Sequence, residues 1–310
     1  MYSFEFQPYQ RRFQTPLVTK HGIWEIRTGI ILQLVAESGK IGWGEIAPLP
    51  WFGSETLEQA LDFCRQLPHK ITTETILAIP AILPACQFGF ESAWEELISP
   101  QPEPILASSA LLPAGKAALE RLPELLNYGT FKWKIGVAPL NEELEIFHQL
   151  VTALPAGSQL RLDANGGLEL EAAKIWLGEC DRASAIAGLR LNSKVVEFLE
   201  QPLAVNQLAA MQELANNYAT PIALDESVTG LAQLQACYQQ GWRGIFVIKA
   251  AIAGSPSRLR QFLKTYQIDA VFSSVLETAI GRKAALKLAA ELNHPHRAVG
   301  FGVEHWFAED

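Results

Sequence analysis

Two hydrophobic periods divide the chain. Through the first fifty residues apolar and polar positions alternate, in FEFQPYQRRF, IWEIRTGIILQLVAES and IGWGEI, the period of strands buried on one face. Ser38-Gly39-Lys40 reads as the turn of a hairpin between the last two runs. Residues 15–23 read as a polar loop. The segment from Pro48 to Gly53 reads as a second loop, too apolar for idle coil, and Ser54 is placed to cap a helix running through Glu58. Two such loops on a small domain could cover a neighbouring pocket. Residues 83–98, LPACQFGFESAWEELI, have helical spacing and close an antiparallel-sheet-plus-helix unit, an α+β capping domain over residues 1–98.

From about residue 103 the period changes to strand then helix, repeated almost to the end. PILASSALL, FKWKIG, LRLDAN, VEFLEQ, PIALDE, GIFVIK, DAVFSS and RAVGFG are short apolar runs. Between them lie helical stretches such as NEELEIFHQLVTAL, NQLAAMQELANNY and IGRKAALKLAAEL. Eight near-continuous apolar strands alternating with helices predict an α/β fold of the TIM-type (β/α) barrel class over residues 99–310. The C-terminal tail is free to return to the capping domain. In such a barrel the chemistry belongs at the carboxyl ends of the strands.

That is where the ionisable residues fall: Lys132 and Lys134, Asp163, Glu200, Asp225 and Lys249. Lys132 and Lys134 are two apart on one strand, so both face the barrel interior while Trp133 faces out. Two ammoniums that close repel, and repulsion lowers a lysine's pKa and makes a neutral amine available as a base. Asp163, Glu200 and Asp225 end three successive strands and stand side by side on the rim. Each alone resembles a helix cap. Together they repel one another unless a cation sits between them, and an all-oxygen set suits Mg²⁺. Lys249 ends the sixth strand, across the mouth from Lys134, so two amines could address both faces of one substrate carbon beside a carboxylate.

Other features change the picture less. Arg161, two residues before Asp163, also faces inward and is a candidate to orient a carboxylate or bind substrate. His294-Pro295-His296 reads as a surface turn. Gly300-Phe301-Gly302 is too short for a dinucleotide fingerprint, but at the last strand's end Gly300 and Gly302 could lend backbone amides to an anion. The four cysteines, Cys64, Cys86, Cys180 and Cys237, are scattered and read as reduced core residues.

With 49% hydrophobic and 19% charged residues and a net charge of −8, the composition is that of a globular enzyme. It lacks the basic stripe a nucleic-acid partner requires. The amino terminus has no unbroken apolar region, and no stretch of about 18 apolar residues occurs. The expectation is a cytoplasmic protein acting on a small-molecule carboxylate, with no membrane or nucleic-acid partner.

The strings Gly42-Trp43-Gly44-Glu45-Ile46-Ala47-Pro48-Leu49-Pro50, Lys132-Trp133-Lys134, Asp163-Ala164-Asn165, Glu200-Gln201-Pro202-Leu203, Asp225-Glu226-Ser227, Lys249 and Ser273-Ser274-Val275-Leu276-Glu277-Thr278 resemble the enolase superfamily. Within it they resemble the o-succinylbenzoate synthase family of menaquinone and phylloquinone biosynthesis, over essentially the whole chain. The resemblance implies a barrel modified as in that superfamily. It also implies a Mg²⁺-dependent syn dehydration of 2-succinyl-6-hydroxy-2,4-cyclohexadiene-1-carboxylate to 2-succinylbenzoate. Lys134 would be the base, Lys249 the opposing cation, and Asp163, Glu200 and Asp225 the metal ligands. Ser273 and the Gly300 to Gly302 backbone would lie near the succinyl arm.

Two readings stay open on the same scaffold: an N-succinylamino acid racemase or a dipeptide epimerase, both of which use opposed lysines. Gly-Phe-Gly stands where dipeptide epimerases usually carry Asp-x-Asp, which weakens the second. A non-catalytic binding protein is the remote alternative. The interval from Asp163 to Glu200 is longer than those that follow it. Residues 183–194 read as an insertion, with Glu197 as the fallback for Glu200.

Overall fold

The computed structural model describes residues 1–19, 22–191, 195–302 and 306–307. Its first sheet is antiparallel, from β1 (Tyr2–Thr19), β2 (Gly22–Ala36), β3 (Ile41–Ile46) and β4 (Lys70–Ile71), in the order β3-β2-β1-β4. Helices α1 (Leu57–Gln66), α2 (Thr73–Leu77) and α3 (Pro84–Ile98) follow the three long strands. Alternation in β2 buries Ile30, Leu32 and Leu34, each 0% exposed, beneath α3. Helix α3 lies so close to β3 that a Cβ on Gly42 would stand 2.0 Å from the carbonyl oxygen of Ala93, and one on Gly44 2.1 Å from that of Gly89. Only glycine allows that contact.

Two local expectations change. Residues 15–19 extend β1 rather than loop, with Leu17 opposite Trp24 and Thr19 opposite Gly22 after a register shift near Arg12. Lys20 and His21, the centre of the expected loop, lie outside the described residues. The N-cap of α1 is Thr56, in a reciprocal capping box with Gln59, a better box than Ser54 offers. Ser54 instead accepts the N–H of Leu49 at 2.6 Å and so tightens the turn before it.

The second sheet is parallel: β5 (Ala110–Leu112), β6 (Thr130–Lys134), β7 (Gln159–Asp163), β8 (Val196–Glu200), β9 (Ile222–Leu224), β10 (Ile245–Ile248) and β11 (Ala270–Phe272), paired in sequence order. Helices α4 (Ala117–Arg121), α5 (Leu140–Ala153), α6 (Leu170–Leu191), α7 (Leu208–Asn217), α8 (Leu231–Gln239), α9 (Ala250–Ala253), α10 (Pro256–Tyr266) and α11 (Ala279–Leu292) fall between or after them. The residues that read as an insertion prolong α6 as far as Leu191.

The eighth expected strand shrinks to two residues that nevertheless close the ring. Val299 exchanges hydrogen bonds with Ala107 and Ser109 on the β5 side, at 2.8 and 2.9 Å. Gly300 does the same with Phe272 and Ser274 on the β11 side, at 2.7 and 3.1 Å. A closed ring leaves no sheet edge to protect. Inside it Phe198, Ala223, Ile245, Val247 and Val271 form a small core separate from the main one between strands and helices.

The antiparallel unit is locked to the barrel by buried polar groups. Glu45 on β3 accepts the backbone N–H groups of Thr278 and Gly281, both at 2.9 Å, at the N-terminus of α11, where a carboxylate is favoured by unpaired amides and the helix dipole. Arg27 donates to the carbonyls of Ala47 and Pro48 on one side and Val275 on the other. At the tail, Phe307 bridges Phe13 of β1 and stacks on its ring at 4.7 Å. No helix among the described residues is long and apolar enough to cross a membrane.

Candidate active site

Strand register sets the site. Lys134 of β6 is level with Asp163 of β7, and Asp163 with Glu200 of β8. Glu200 is level with Ala223 of β9, so Asp225 points inward just above. Lys249 and Ser273 follow the last residues of β10 and β11. Lys134, Asp163, Glu200, Asp225, Lys249 and Ser273 are therefore brought together, on or just after six adjacent strands.

Lys132 lies one level lower and reaches up. Its ammonium sits 2.8 Å from Asp163 Oδ2 and 2.8 Å from Glu200 Oε1. Burial would lower its pKa, but Asp163, then Glu200 and Asp225, outweigh burial and hold it raised. This corrects the expected lysine-lysine repulsion: the charge of Lys132 is neutralised by carboxylates. Lys134 is half-buried and, among the described residues, has no hydrogen bond or ion pair. A base role for it therefore stands on position.

Asp163 would be raised by burial, but Lys132 and the N–H of Asn165, at 3.0 Å, hold it lowered. Glu200 goes the other way. Burial first, then the charge of Asp163, push it to about 8 against the pull of Lys132. Lys249 pairs with Asp225 Oδ1, and its ammonium stands 3.9 Å from the centroid of the Phe52 ring, brought over the mouth by a short turn at Pro50–Phe52.

The carboxylates are an all-oxygen set suited to a hard divalent cation. Burial and, after it, the charge of Asp163 raise Glu200, and a divalent cation among the three carboxylates would offset both, so the donor chemistry fits Mg²⁺. Among the described residues no three histidine, cysteine or acid side chains stand ready-spaced for a metal; Lys132 pairs with Asp163 and Glu200, and Lys249 with Asp225.

Two residues that the sequence left without a role brace this row. Gln201 is 0% exposed and has φ +37°. Its Oε1 accepts the N–H of Asp225 at 3.0 Å and of Ser227 at 3.2 Å, and its Nε2 donates to Leu203 O and Ser227 Oγ. Asn165, φ +44°, donates to Glu226 at 3.1 Å. Both follow an acid in motifs legible in the sequence, but only the fold shows that each reaches the loop that carries Asp225.

Arg161 and Glu197 belong elsewhere. An extra residue in β8, where Leu160 faces Val196 but Arg161 faces Phe198, turns Glu197 towards Arg161. The pair, at 2.6 Å, lies on the barrel floor with Arg297, and Arg161 also donates to Ala298 O at 2.7 Å. Arg161, 2% exposed, has its guanidinium taken up by Glu197 and Ala298 O. Glu197 is thereby removed as a fallback ligand. Ser273 is half-buried at the mouth against Gly300, where a Cβ would come within 2.7 Å of its Oγ, and one at Gly302 within 2.5 Å of Ser109 O. His294 and His296 occupy the turn after α11, and all four cysteines are free and buried.

Comparison with known proteins shows the family. Residues 114–309 match the family described as enolase C-terminal domain-like, and residues 1–97 match the MenC N-terminal domain. The chain is 43% identical to an o-succinylbenzoate synthase of Thermosynechococcus vestitus, over 98% of this chain and 93% of the relative. It is 31% identical to one from Yersinia pseudotuberculosis, over 92% and 85%. The crystal structure of the Thermosynechococcus elongatus BP-1 o-succinylbenzoate synthase, complexed with Mg in its active site, matches with a TM-score of 0.91 at 41% identity, over 99% of this chain and 95% of that one. A dipeptide epimerase from Cytophaga hutchinsonii, complexed with Mg and a dipeptide, matches with a TM-score of 0.78 at 19% identity, over 99% and 88%, a likeness of fold alone. A barrel with an antiparallel capping unit and a row of acids at its strand ends is an enzyme of the enolase superfamily. Within that superfamily the chain belongs to the o-succinylbenzoate synthase family, whose members are lyases.

Proposed function

We propose that this enzyme dehydrates 2-succinyl-6-hydroxy-2,4-cyclohexadiene-1-carboxylate to 2-succinylbenzoate by removing a proton beside the carboxylate, a step of menaquinone or phylloquinone biosynthesis. The observation that carries the reading is the level row of Lys134, Asp163 and Glu200 across three adjacent strands, faced by Lys249. Asp163, Glu200 and Asp225 would hold Mg²⁺, which when bound would supply positive charge to the substrate carboxylate and so acidify the neighbouring proton.

Lys134 takes that proton as the base. The electron pair enters the ring, the carbon-oxygen bond to the 6-hydroxyl breaks on the same face, and Lys134 returns the proton so that water leaves. Lys249 stabilises the negative charge from the opposite face. The product ring is aromatic, so the protein supplies position and charge rather than driving force. Lys132 keeps the two inner carboxylates from repelling each other. Ser273 and the Gly300 to Gly302 backbone border the space for the succinyl arm.

The test is to assay purified enzyme with the cyclohexadiene and, separately, with an N-succinylamino acid in D₂O. Dehydration without α-deuterium incorporation is expected. Deuterium exchange with no dehydration would replace this reading with a racemase.

A further inference from the structure

Lys249 is held from two sides, and one of them is an aromatic ring from the other sheet's domain. Its ammonium pairs with Asp225 and stands 3.9 Å from the Phe52 ring centroid. The turn that carries Phe52 is fixed at every point. Leu49 N–H is bound by Ser54, Arg27 holds the carbonyls of Ala47 and Pro48, and Gly53, at φ +93°, leaves room for only its hydrogen beside Thr229. Trp51 packs edge-on against Trp24 at 4.9 Å, Trp24 against Phe13 at 5.0 Å, and Phe13 on Phe307.

A ring carried on a turn braced in this way can do more than cover the mouth. The face of an aromatic ring is electron-rich, and a cation attracted to it gains most where water is excluded. Asp225 supplies the stronger pull, but in the reading above its oxygens are shared with a metal. Lys249 then needs a second attraction that does not compete for the cation, and a neutral ring face provides one.

We propose that Phe52 is a positioning residue for Lys249, its ring face holding the ammonium over the mouth where charge develops on the substrate. The capping domain thereby sets the placement of a barrel cation. This rests on the reading of Lys249 as the cation opposite the base.

The test replaces Phe52 in the full-length enzyme with 4-fluoro-, 3,5-difluoro- and 3,4,5-trifluorophenylalanine. These keep the ring's shape while draining its face of negative potential, which a packing role would not sense. With Mg²⁺ present, kcat falls stepwise with fluorination to about tenfold below the parent, while KM changes little. Phe52→Leu falls at least as far. Independently of turnover, the Lys249 Cε protons, identified by their loss in Lys249→Arg, are shifted upfield by the ring in the parent and not in Phe52→Leu.

A flat fluorine series in an enzyme that dehydrates the diene overturns the inference alone, as does an unshifted Lys249. A parent enzyme that does not dehydrate the diene at all overturns the reading of the site and this inference with it.

Discussion

The side-chain oxygen of Gln201 accepts the backbone N–H of Asp225 at 3.0 Å, and Gln201 itself directly follows Glu200. One amide thus couples two of the three acids across neighbouring strands. Gln201→Leu leaves the buried N–H groups of Asp225 and Ser227 without that acceptor, and should cost about 3 kcal/mol of stability. Activity should fall about 10- to 100-fold, the range for losing a group that orients a metal ligand. Denaturant unfolding and kcat/KM check the two effects separately; unchanged kcat/KM would mean the brace does not position Asp225.

Lys134→Ala removes a side chain that has no hydrogen bond or ion pair among the described residues. Its thermal midpoint should stay near the parent's, while kcat drops by about 10² to 10⁴, the range for a general base. Residual turnover close to the parent rate would assign the proton transfer elsewhere.

Chelating divalent metal should stop dehydration, and adding Mg²⁺ back should restore it. With the folded acid row as the proposed binding site and none in the unfolded chain, Mg²⁺ at about 100 times its dissociation constant should add about 2.7 kcal/mol of stability. Calorimetry with and without Mg²⁺ measures this, and Asp163→Asn should abolish most of the increment.

Glu277 supplies a pH dependence away from the acid row. Burial raises it from 4.5 to about 6, with N–H hydrogen bonds pulling it back and Glu45 pushing it up. Between those values the folded carboxyl keeps a proton that the unfolded one has released. Its stabilisation is therefore complete below about pH 4.5 and is lost as pH rises through about 6. Glu277→Gln cannot ionise, so its stability relative to the parent should rise by about 2 kcal/mol between pH 4.5 and 7. Urea unfolding at both ends of that window tests the sign.

Period alone separates the two halves of this chain: alternation to residue 50, then strand and helix in turn. A side chain's inward or outward direction is fixed by parity along a strand, so Lys134, Asp163, Glu200 and Asp225 could be aimed from the sequence. Where parity breaks, the reading fails. The extra residue at Glu197 turns its side chain to Arg161 and takes both to the barrel floor, and residues 17–19 pair as strand although they read as part of a polar loop. In both cases the neighbouring strand decides, and its register is not local information.

The sequence by itself determined which residues carry charge, which ends of which strands they occupy, and that three acids and three lysines share one barrel mouth. Tertiary structure alone decided what each charge faces. Lys132 is bound by two carboxylates rather than repelled by Lys134, and Gln201 spans to the loop of the third acid. Phe52 crosses from one sheet's domain to the ammonium of Lys249. Hydrogen bonds and ion pairs act over a few ångströms between atoms far apart in the chain, and only the closed fold sets those distances.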